Sequence, residues 1–273
     1  MAMIQLGDDQ TGTFSLNVDV FEGLVPIDTV FLHGNLAANV WWEPALEIWK
    51  AQAKPTHEGR LILIEWRGCG KSDPPRSTRD LAPAALAHDT CLALKKLNAK
   101  NSCLVGHSTG GLVALCALLE APELFDRVVL LDPVGPTGVK FDKAMYDAFT
   151  QMSQDREFCA TVMNGTIHQN DPTTDFFRRI VDAAFGIDKS IWHGIPDALR
   201  DVDITNQLSR IHHPTLILHG EHDPVLPKEV SAKLATQLPH ARYKELMGQG
   251  HSTNVENPEL FVREVDHFLF DRP

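Results

Sequence analysis

Ser108 is the residue whose surroundings most directly suggest chemistry. The stretch LVGHSTGGLVAL, residues 104–115, places it between Gly106 and Gly110 and between two apolar runs. A serine in this G-x-S-x-G pattern, after a strand and before a helix, is typical of a nucleophile on a sharp turn. Glycine at the flanking positions avoids side-chain collisions within such a turn. The pattern therefore predicts a nucleophilic Ser108, and the alternative is a plain loop serine.

A serine hydroxyl is a weak nucleophile without a base, and His251 is the strongest candidate for that base. It lies in the glycine-rich stretch MGQGHSTN, between the last predicted strand and the last predicted helix. His107 is too close in sequence to face the hydroxyl of its neighbour. No metal site is predicted, because a fixed ligand spacing such as H-E-x-x-H is missing from the histidine cluster of His212, His213, His219 and His222.

The base in turn needs a carboxylate that fixes its tautomer and stabilises its charged form. Asp223 closely follows the apolar run TLILHG, so we expect it at the carboxyl end of a strand. The chain order is then serine, aspartate, histidine, which is one of the known orders of this constellation. Asp132, which ends the run VVLLD, and Glu221 remain alternatives.

Backbone N–H groups at two turns are candidates for holding the negative charge that develops in acyl transfer. The stretch FLHGNLAANVWW, residues 31–42, places a glycine turn directly after a predicted strand. The N–H of Asn35 can then meet the N–H of Thr109, and two such donors suit a tetrahedral oxyanion. His33 at the start of this turn is expected to be structural. A plain strand-ending turn is the alternative.

These residues need a scaffold, and the chain alternates short apolar runs with helical patterns. The runs are rich in Val, Ile and Leu and fit strands that are buried on both faces. They span residues 28–34, 60–70, 102–108, 127–133 and 214–223. Helical spacing is found at residues 81–98, 110–122, 228–238 and 258–270. This alternation predicts an α/β fold with a doubly wound, mostly parallel sheet.

One region departs from the alternation. Residues 136–203 carry helical patterns and no run that is typical of a buried strand. We therefore expect a helical cap at 136–203, inserted into a core of residues 1–135 and 204–273. Large apolar side chains of the cap, with one from the glycine turn, are candidates for a substrate pocket, namely Trp42, Phe141, Met145, Phe149, Phe185 and Trp192. The alternative is that they only pack the cap on the core.

Composition limits the partners of the protein. The 273 residues carry a net charge of −11, which argues against nucleic acid and disfavours anionic membrane surfaces. No window approaches the length of a membrane-spanning apolar stretch, and the first residues lack the features of a signal peptide. Five cysteines without C-x-x-C spacing indicate reduced thiols and a cytoplasmic protein. No cofactor is implied, and the number of subunits stays open.

The GHSTGG turn, the HGN turn, Asp223 and His251 together resemble the α/β-hydrolase superfamily over nearly the whole chain. EWRGCGKSD, residues 65–73, is similar to the D-x-R-G-x-G-x-S pattern of that family, with Glu65 in place of the usual aspartate. Trp42 falls where many members carry a tryptophan after the glycine turn. The resemblance implies the α/β-hydrolase fold, a cap over the sheet and a serine hydrolase triad, and Glu65 is expected to be structural.

The subfamilies that fit best are capped carboxylesterases, lactonases and carbon–carbon bond hydrolases. The resemblance implies cleavage of small apolar carboxylic esters or lactones, acyl-homoserine lactones included, through an acyl-enzyme. Carbon–carbon bond cleavage and the cofactor-free haloperoxidase or perhydrolase reaction use the same triad and stay open. Haloalkane dehalogenases and epoxide hydrolases are disfavoured, because they use an aspartate where this chain has Ser108. A ligand receptor that retains the triad is the non-enzymatic alternative.

Overall fold

One eight-stranded sheet lies at the centre of the computed structural model, which describes residues 2–8 and 12–270. The antiparallel pairs join β1 to β2 and β2 to β4, whereas every pair from β4 to β8 is parallel. The order across the sheet is β1-β2-β4-β3-β5-β6-β7-β8. The strands are β1 (Ala2–Leu6), β2 (Phe14–Val25), β3 (Thr29–Leu32), β4 (Gly59–Ile64), β5 (Ser102–His107), β6 (Phe125–Leu131), β7 (Thr215–Gly220) and β8 (Ala241–Leu246). The predicted mostly parallel sheet is confirmed.

Helices follow the strands on both faces of the sheet and in one long insertion. They are α1 (Glu43–Gln52), α2 (Pro83–Lys96), α3 (Thr109–Glu120), α4 (Lys143–Met152), α5 (Arg156–Gly165), α6 (Asp175–Phe185), α7 (Ile191–Arg200), α8 (Lys228–Gln237), α9 (Thr253–Glu256) and α10 (Pro258–Phe270). No helix in the described part of the chain is both long enough and apolar enough to cross a membrane.

The sheet is buried on both faces because successive residues of a strand point to opposite sides. Ile62 of β4 belongs to the same buried cluster as Leu112 of α3. Its neighbour Leu63 belongs to the other cluster, with Trp49 of α1 and Phe261 of α10. Apolar runs without polar alternation are what such a doubly covered sheet needs. The doubly wound α/β sheet predicted from these runs is therefore what the chain adopts.

Four helices, α4 to α7, separate β6 from β7, within the stretch 136–203 for which a cap is predicted. The beginning and the end of this stretch are bonded together. The N–H of Val139 donates to the carbonyl of Leu199 at 3.2 Å, and the N–H of Ile204 donates to the carbonyl of Pro136 at 2.9 Å. Gly138 has φ 63°, and a Cβ there would lie 1.9 Å from the Leu199 carbonyl oxygen. The glycine turn at the start of the insertion is therefore pinned to its end.

Glu65, which replaces the usual aspartate of its motif, bonds three separate segments. Its carboxylate accepts from the side-chain amide of Asn17 at 2.9 Å and from the backbone N–H groups of Asn39 at 3.2 Å and Lys71 at 2.9 Å. A Cβ on Gly70 would lie 2.0 Å from this carboxylate. Glycine at position 70 therefore makes room for the longer acidic side chain.

All five cysteines lie within the described residues, and each is buried and unpaired. Burial raises the pKa of every one of these thiols, which disfavours the reactive thiolate. We therefore interpret the cysteines as small core residues without a chemical role.

Candidate active site

Ser108 lies on a strained turn between β5 and α3. Its backbone has φ 56° and ψ −120°, a combination that residues with side chains rarely adopt. The turn is bonded to the end of β6 and to the residues that follow it. The N–H of Ser108 donates to the carbonyl of Leu131, and the carbonyl of Ser108 accepts from the N–H of Val134, each at 2.9 Å. A Cβ on Gly106 would lie 2.3 Å from the carbonyl oxygen of Gly110, so glycine is required. The arrangement is the strand–turn–helix context of an exposed nucleophile.

The histidine predicted as the base is bonded to the predicted acid. Nδ1 of His251 lies 2.7 Å from Oδ2 of Asp223, whose side chain is 1% exposed. The other carboxylate oxygen accepts from the N–H groups of Val225 at 2.7 Å and Leu226 at 3.0 Å. Burial disfavours the carboxylate, but the hydrogen bonds from His251 and these N–H groups outweigh it and lower the pKa of Asp223. Asp223 is therefore charged and can orient the imidazole.

The two alternative acids are engaged elsewhere. Asp132 is fully buried, and its Oδ1 accepts from the N–H of Gly220 at 2.8 Å. Burial and the nearby charge of Asp223 raise the pKa of Asp132 well above its ordinary value, so the charged form of this carboxyl is disfavoured. Glu221 accepts from the N–H of Gly248 at 2.9 Å. Of the three carboxyl groups considered, Asp223 is the one that hydrogen-bonds His251.

Ser108 and His251 line one cavity of about 160 Å³, together with the two predicted oxyanion residues, Asn35 and Thr109. In the described part of the chain, neither the N–H of Asn35 nor that of Thr109 has a hydrogen-bond acceptor. Gly34 allows this turn to approach the nucleophile, since a Cβ there would lie 3.1 Å from Cβ of Ser108. The cavity therefore brings a hydroxyl, an imidazole and two free donors to the same place.

The turn that carries Asn35 is held by its own side chains. Oδ1 of Asn35 accepts from the N–H of Leu36 at 3.0 Å. Nδ1 of His33 contacts the carbonyl of Gly34 at 2.8 Å, and its Nε2 accepts from the N–H of Trp66 at 3.3 Å. Burial, opposed in part by the bond to Gly34, lowers the pKa of His33 to about 4. His33 is thus a neutral, buried support of the turn.

Three of the six predicted pocket residues line the cavity and three do not. Phe141, Met145 and Phe149 lie on its wall. The prediction is wrong for Trp42, Phe185 and Trp192. Trp42 is buried against Phe31 and Phe261, and its neighbour Trp41 faces the cavity instead. Phe185 is half-buried beneath the ammonium group of Lys189, and Trp192 is buried on α7, which packs on the short helix at residues 78–81.

Several lining residues were not among those predicted. Met152 of α4, Val162 and Met163 of α5, and Leu199 of α7 extend the apolar wall. The helical spacing of α5 gave a usable signal, because Cys159, Val162, Met163 and Thr166 follow one face. Val225 was not predictable in this way, since it belongs to an irregular loop. The described residues that line the cavity include no Asp, Glu, Lys or Arg, so its wall suits an uncharged ligand.

Potential metal-ligand atoms lie within 4.8 Å of one another in two groups of the described residues, namely His107, Asp132 and His251, and Asp132, His219 and Asp223. Each of these side chains already takes part in a hydrogen bond through at least one of its polar atoms. Nδ1 of His219 lies 2.8 Å from Oγ of Ser231, and its Nε2 lies 3.2 Å from the carbonyl of Leu226. Nδ1 of His251 is bonded to Asp223. We therefore interpret both groups as the hydrogen-bonded support of the acid and the base.

The chain belongs to the α/β-hydrolase family, because residues 30–258 match the family model described as the alpha/beta hydrolase fold. This span covers the turn of Ser108, the strands that hold it and the loop of His251. Membership establishes a hydrolase of the α/β fold and confirms the resemblance seen in the sequence.

Named relatives carry several related activities. The chain is 27% identical over 267 residues to the non-heme chloroperoxidase of Streptomyces lividans. The aligned region covers 89% of this chain and 91% of that protein. The esterase EaEST of Exiguobacterium antarcticum superposes with a TM-score of 0.86 at 22% identity, over 98% of this chain and 99% of that one. Est816, described as an N-acyl homoserine lactone degrading enzyme, superposes with a TM-score of 0.75 at 20% identity, over 97% of this chain and 100% of that one. At these identities the two structures establish the fold alone.

Proposed function

We propose that the protein is a serine hydrolase of small, apolar carboxylic esters, with lactones included as cyclic esters. The observation that carries the proposal is that His251, which is hydrogen-bonded to Asp223, lines the same cavity as Ser108. These three side chains supply a nucleophile, a base and an orienting carboxylate. Membership in the α/β-hydrolase family supports the same chemistry.

In the first half-reaction, Nε2 of His251 takes the hydroxyl proton of Ser108 while Oγ bonds to the ester carbonyl carbon. The carbonyl oxygen becomes an oxyanion that accepts from the N–H groups of Asn35 and Thr109. Asp223 stabilises the imidazolium. The tetrahedral intermediate then breaks its bond to the leaving oxygen, which takes the proton from His251. An alcohol is released, and the acyl group stays on Ser108.

Water completes the second half-reaction. His251 takes one proton from a water molecule while the water oxygen bonds to the acyl carbon, and a second tetrahedral intermediate forms in the same oxyanion site. Its breakdown returns the proton from His251 to Oγ of Ser108 and releases a carboxylic acid. With a lactone, the alcohol and the acid are parts of one product molecule.

The volume and the apolar lining of the cavity favour one class of substrate. An engineered apolar cavity of about 150 Å³ accommodates benzene, and the cavity here measures about 160 Å³. Met145 and Val225, which are 39% and 44% exposed, place apolar surface at its mouth. Met152 and Met163 are buried on its wall. We therefore propose acyl groups close to a benzene ring in size, or a short alkyl chain of similar volume, without charge.

Perhydrolysis is the second candidate, and the chloroperoxidase relative favours it. Hydrogen peroxide would replace water in the attack on the acyl-enzyme. His251 would take one peroxide proton while the peroxide oxygen bonds to the acyl carbon, and it would return that proton to Oγ of Ser108 as the bond from Oγ to the acyl carbon breaks and the peracid leaves. The same triad and oxyanion donors serve both reactions, so the acceptor alone distinguishes them.

The test compares wild-type protein with Ser108→Ala on p-nitrophenyl esters from acetate to dodecanoate and on an acyl-homoserine lactone series. We expect turnover that peaks at short or aryl acyl groups and falls by several orders of magnitude in the variant. Activity that survives in Ser108→Ala would contradict the mechanism. A fluorophosphonate probe that labels Ser108 without any ester turnover would indicate another acceptor or a receptor. A peracid assay with hydrogen peroxide then examines the second candidate.

A further inference from the structure

One carboxylate outside the triad bonds the backbone on both sides of the base. Glu256, the last residue of α9, accepts from the N–H of Gly250 at 2.5 Å through Oε2. Its Oε1 accepts from the N–H of Ser252 at 3.1 Å. These two residues flank His251 directly. A single side chain therefore fixes the peptide units that carry the imidazole.

The same carboxylate reaches the cap. Oε1 of Glu256 also accepts from the N–H of His168, in the loop after α5, at 2.9 Å. The approach is close, since a Cβ on Gly250 would lie 2.6 Å from Cβ of His168. A groove of about 450 Å³ opens beside this contact, lined by residues of both the 167–176 and the 248–257 segments. The bond from His168 therefore spans a place where the cap and the histidine loop are otherwise partly separated.

The chemistry of the contact requires a carboxylate. Three N–H donors converge on Glu256, and only an ionised acid offers acceptor sites on both oxygens without a competing donor. Hydrogen bonds to a charged acceptor are also roughly twice as strong as those between neutral groups. A glutamine at this position would turn an N–H₂ group toward at least one of the three donors. The isosteric amide therefore loses at least one of the three hydrogen bonds while keeping the size of the side chain.

We propose that Glu256 is a positioning residue, which holds His251 through Gly250 and Ser252 and couples it to the cap through His168. The inference rests on the proposed function, because it assigns a consequence to the position of the base. A shift of the cap that moves the His168 N–H changes the set of donors on Glu256. The position of the cap therefore affects the hydrogen bonds that hold the loop of His251.

Three variants test this inference in the full-length protein. Glu256→Gln removes the carboxylate. His168→Pro removes the cap N–H together with the imidazole, which packs on the ring of His222, and His168→Ala removes the imidazole but keeps the N–H, so it serves as the reference. We expect Glu256→Gln to lower kcat per fluorophosphonate-titrated serine by roughly tenfold to a hundredfold, the cost of a displaced catalytic group, with little change in KM. We expect His168→Pro to lower kcat relative to His168→Ala, by less than Glu256→Gln does.

Amide hydrogen exchange gives a second readout that does not depend on turnover. At least one of the amides of Gly250, Ser252 and His168 should exchange faster in Glu256→Gln than in wild type, and unchanged exchange at all three would overturn the proposal. A purely structural role for Glu256 would lower the number of titratable sites but leave kcat per site unchanged, which would overturn the proposal. Equal kcat per titrated serine in His168→Pro and His168→Ala would overturn the coupling to the cap. If wild-type protein turns over no ester, the proposed function fails, whereas the exchange rates still decide whether Glu256 holds this loop.

Discussion

His107 and His251 are joined by a hydrogen bond of 2.8 Å, from Nε2 of His107 to the backbone carbonyl oxygen of His251. Because a carbonyl only accepts, Nε2 of His107 carries the proton. Burial, with the nearby His251 ring, lowers the pKa of His107 to about 3, so the side chain is neutral. His107 precedes Ser108 in the turn. The bond therefore fixes the loop of the base relative to the turn of the nucleophile.

The first prediction follows from this bond. His107→Phe removes the donor, and we expect kcat for ester hydrolysis to fall by roughly tenfold to a hundredfold, because the base is no longer held. His107→Gln keeps an N–H donor on a side chain of similar reach and should lose less. Equal losses in the two variants would show that the bond to His251 does not matter and that only ring packing does.

The second prediction separates the two buried aspartates. Asp223→Asn should lower kcat by about 10,000-fold, because an amide stabilises the wrong tautomer of the base. Asp132→Asn should change kcat little at neutral pH, since the carboxyl that bonds His251 is Asp223 and the bond from Gly220 to Asp132 survives in the amide. Steady-state rates of both variants, with their folded fractions measured by circular dichroism, decide the assignment. The reverse order would transfer the role of the acid to Asp132.

The third prediction concerns stability and pH. The folded pKa of Asp132 is raised well above 3.8, chiefly by burial and also by the charge of Asp223. The contribution of this carboxyl to the free energy of unfolding is therefore fully present below pH 3.8, its unfolded pKa. It is lost as the pH rises toward the folded pKa. Asp132→Asn removes this loss. We expect the free energy of unfolding in urea to favour the variant increasingly as the pH rises from about 4 to 7, and a constant difference would contradict the burial of an acidic group here.

The fourth prediction tests the corrected pocket. Met163→Ala enlarges the cavity at a buried part of its wall and should shift the preferred p-nitrophenyl ester toward longer acyl chains. The lost methionine packing should also lower the free energy of unfolding by about 2 kcal/mol or more. Phe185→Ala, a cap residue outside the cavity, is the matched control and should leave the chain-length profile unchanged. A shifted profile in the control would return Phe185 to the pocket.

The fifth prediction concerns the motif that Glu65 modifies. Gly70 has φ 53°, and an added Cβ would meet the Glu65 carboxylate. Gly70→Ala should therefore lower the free energy of unfolding by at least about 2 kcal/mol, the sum of backbone strain and overpacking. Gly165→Ala, where an added Cβ meets nothing within 4 Å, should be neutral or slightly stabilising. Denaturant unfolding of both variants provides the comparison, and similar values would contradict the crowding at Gly70.

Local patterns in the sequence were enough to place Ser108, Asp223 and His251. Each follows a strand of the parallel sheet, and the carboxyl ends of such strands meet at one edge. A short pattern around each residue therefore predicted that these three residues, which are distant in sequence, lie at the same edge of the sheet. Asp223 and Asp132 both end a predicted strand, so Asp132 stayed an alternative in the sequence, and the bond of 2.7 Å from His251 to Asp223 came only from the folded chain.

Contacts between segments that are remote in sequence were decided by the tertiary structure. Trp41 rather than Trp42 faces the cavity, because a short helical turn rotates the pair and no periodic pattern reveals its phase. Glu256 bonds Gly250 and Ser252 nearby, but its third partner, His168, lies 88 positions away. The sequence by itself determined the sheet, the turn of the nucleophile and the candidates for the triad, since these depend on local hydrophobicity and turn chemistry. Which side chains line the cavity and which support His251 depended on how the 136–203 insertion packs against the rest of the chain, and that packing exists only in the folded protein.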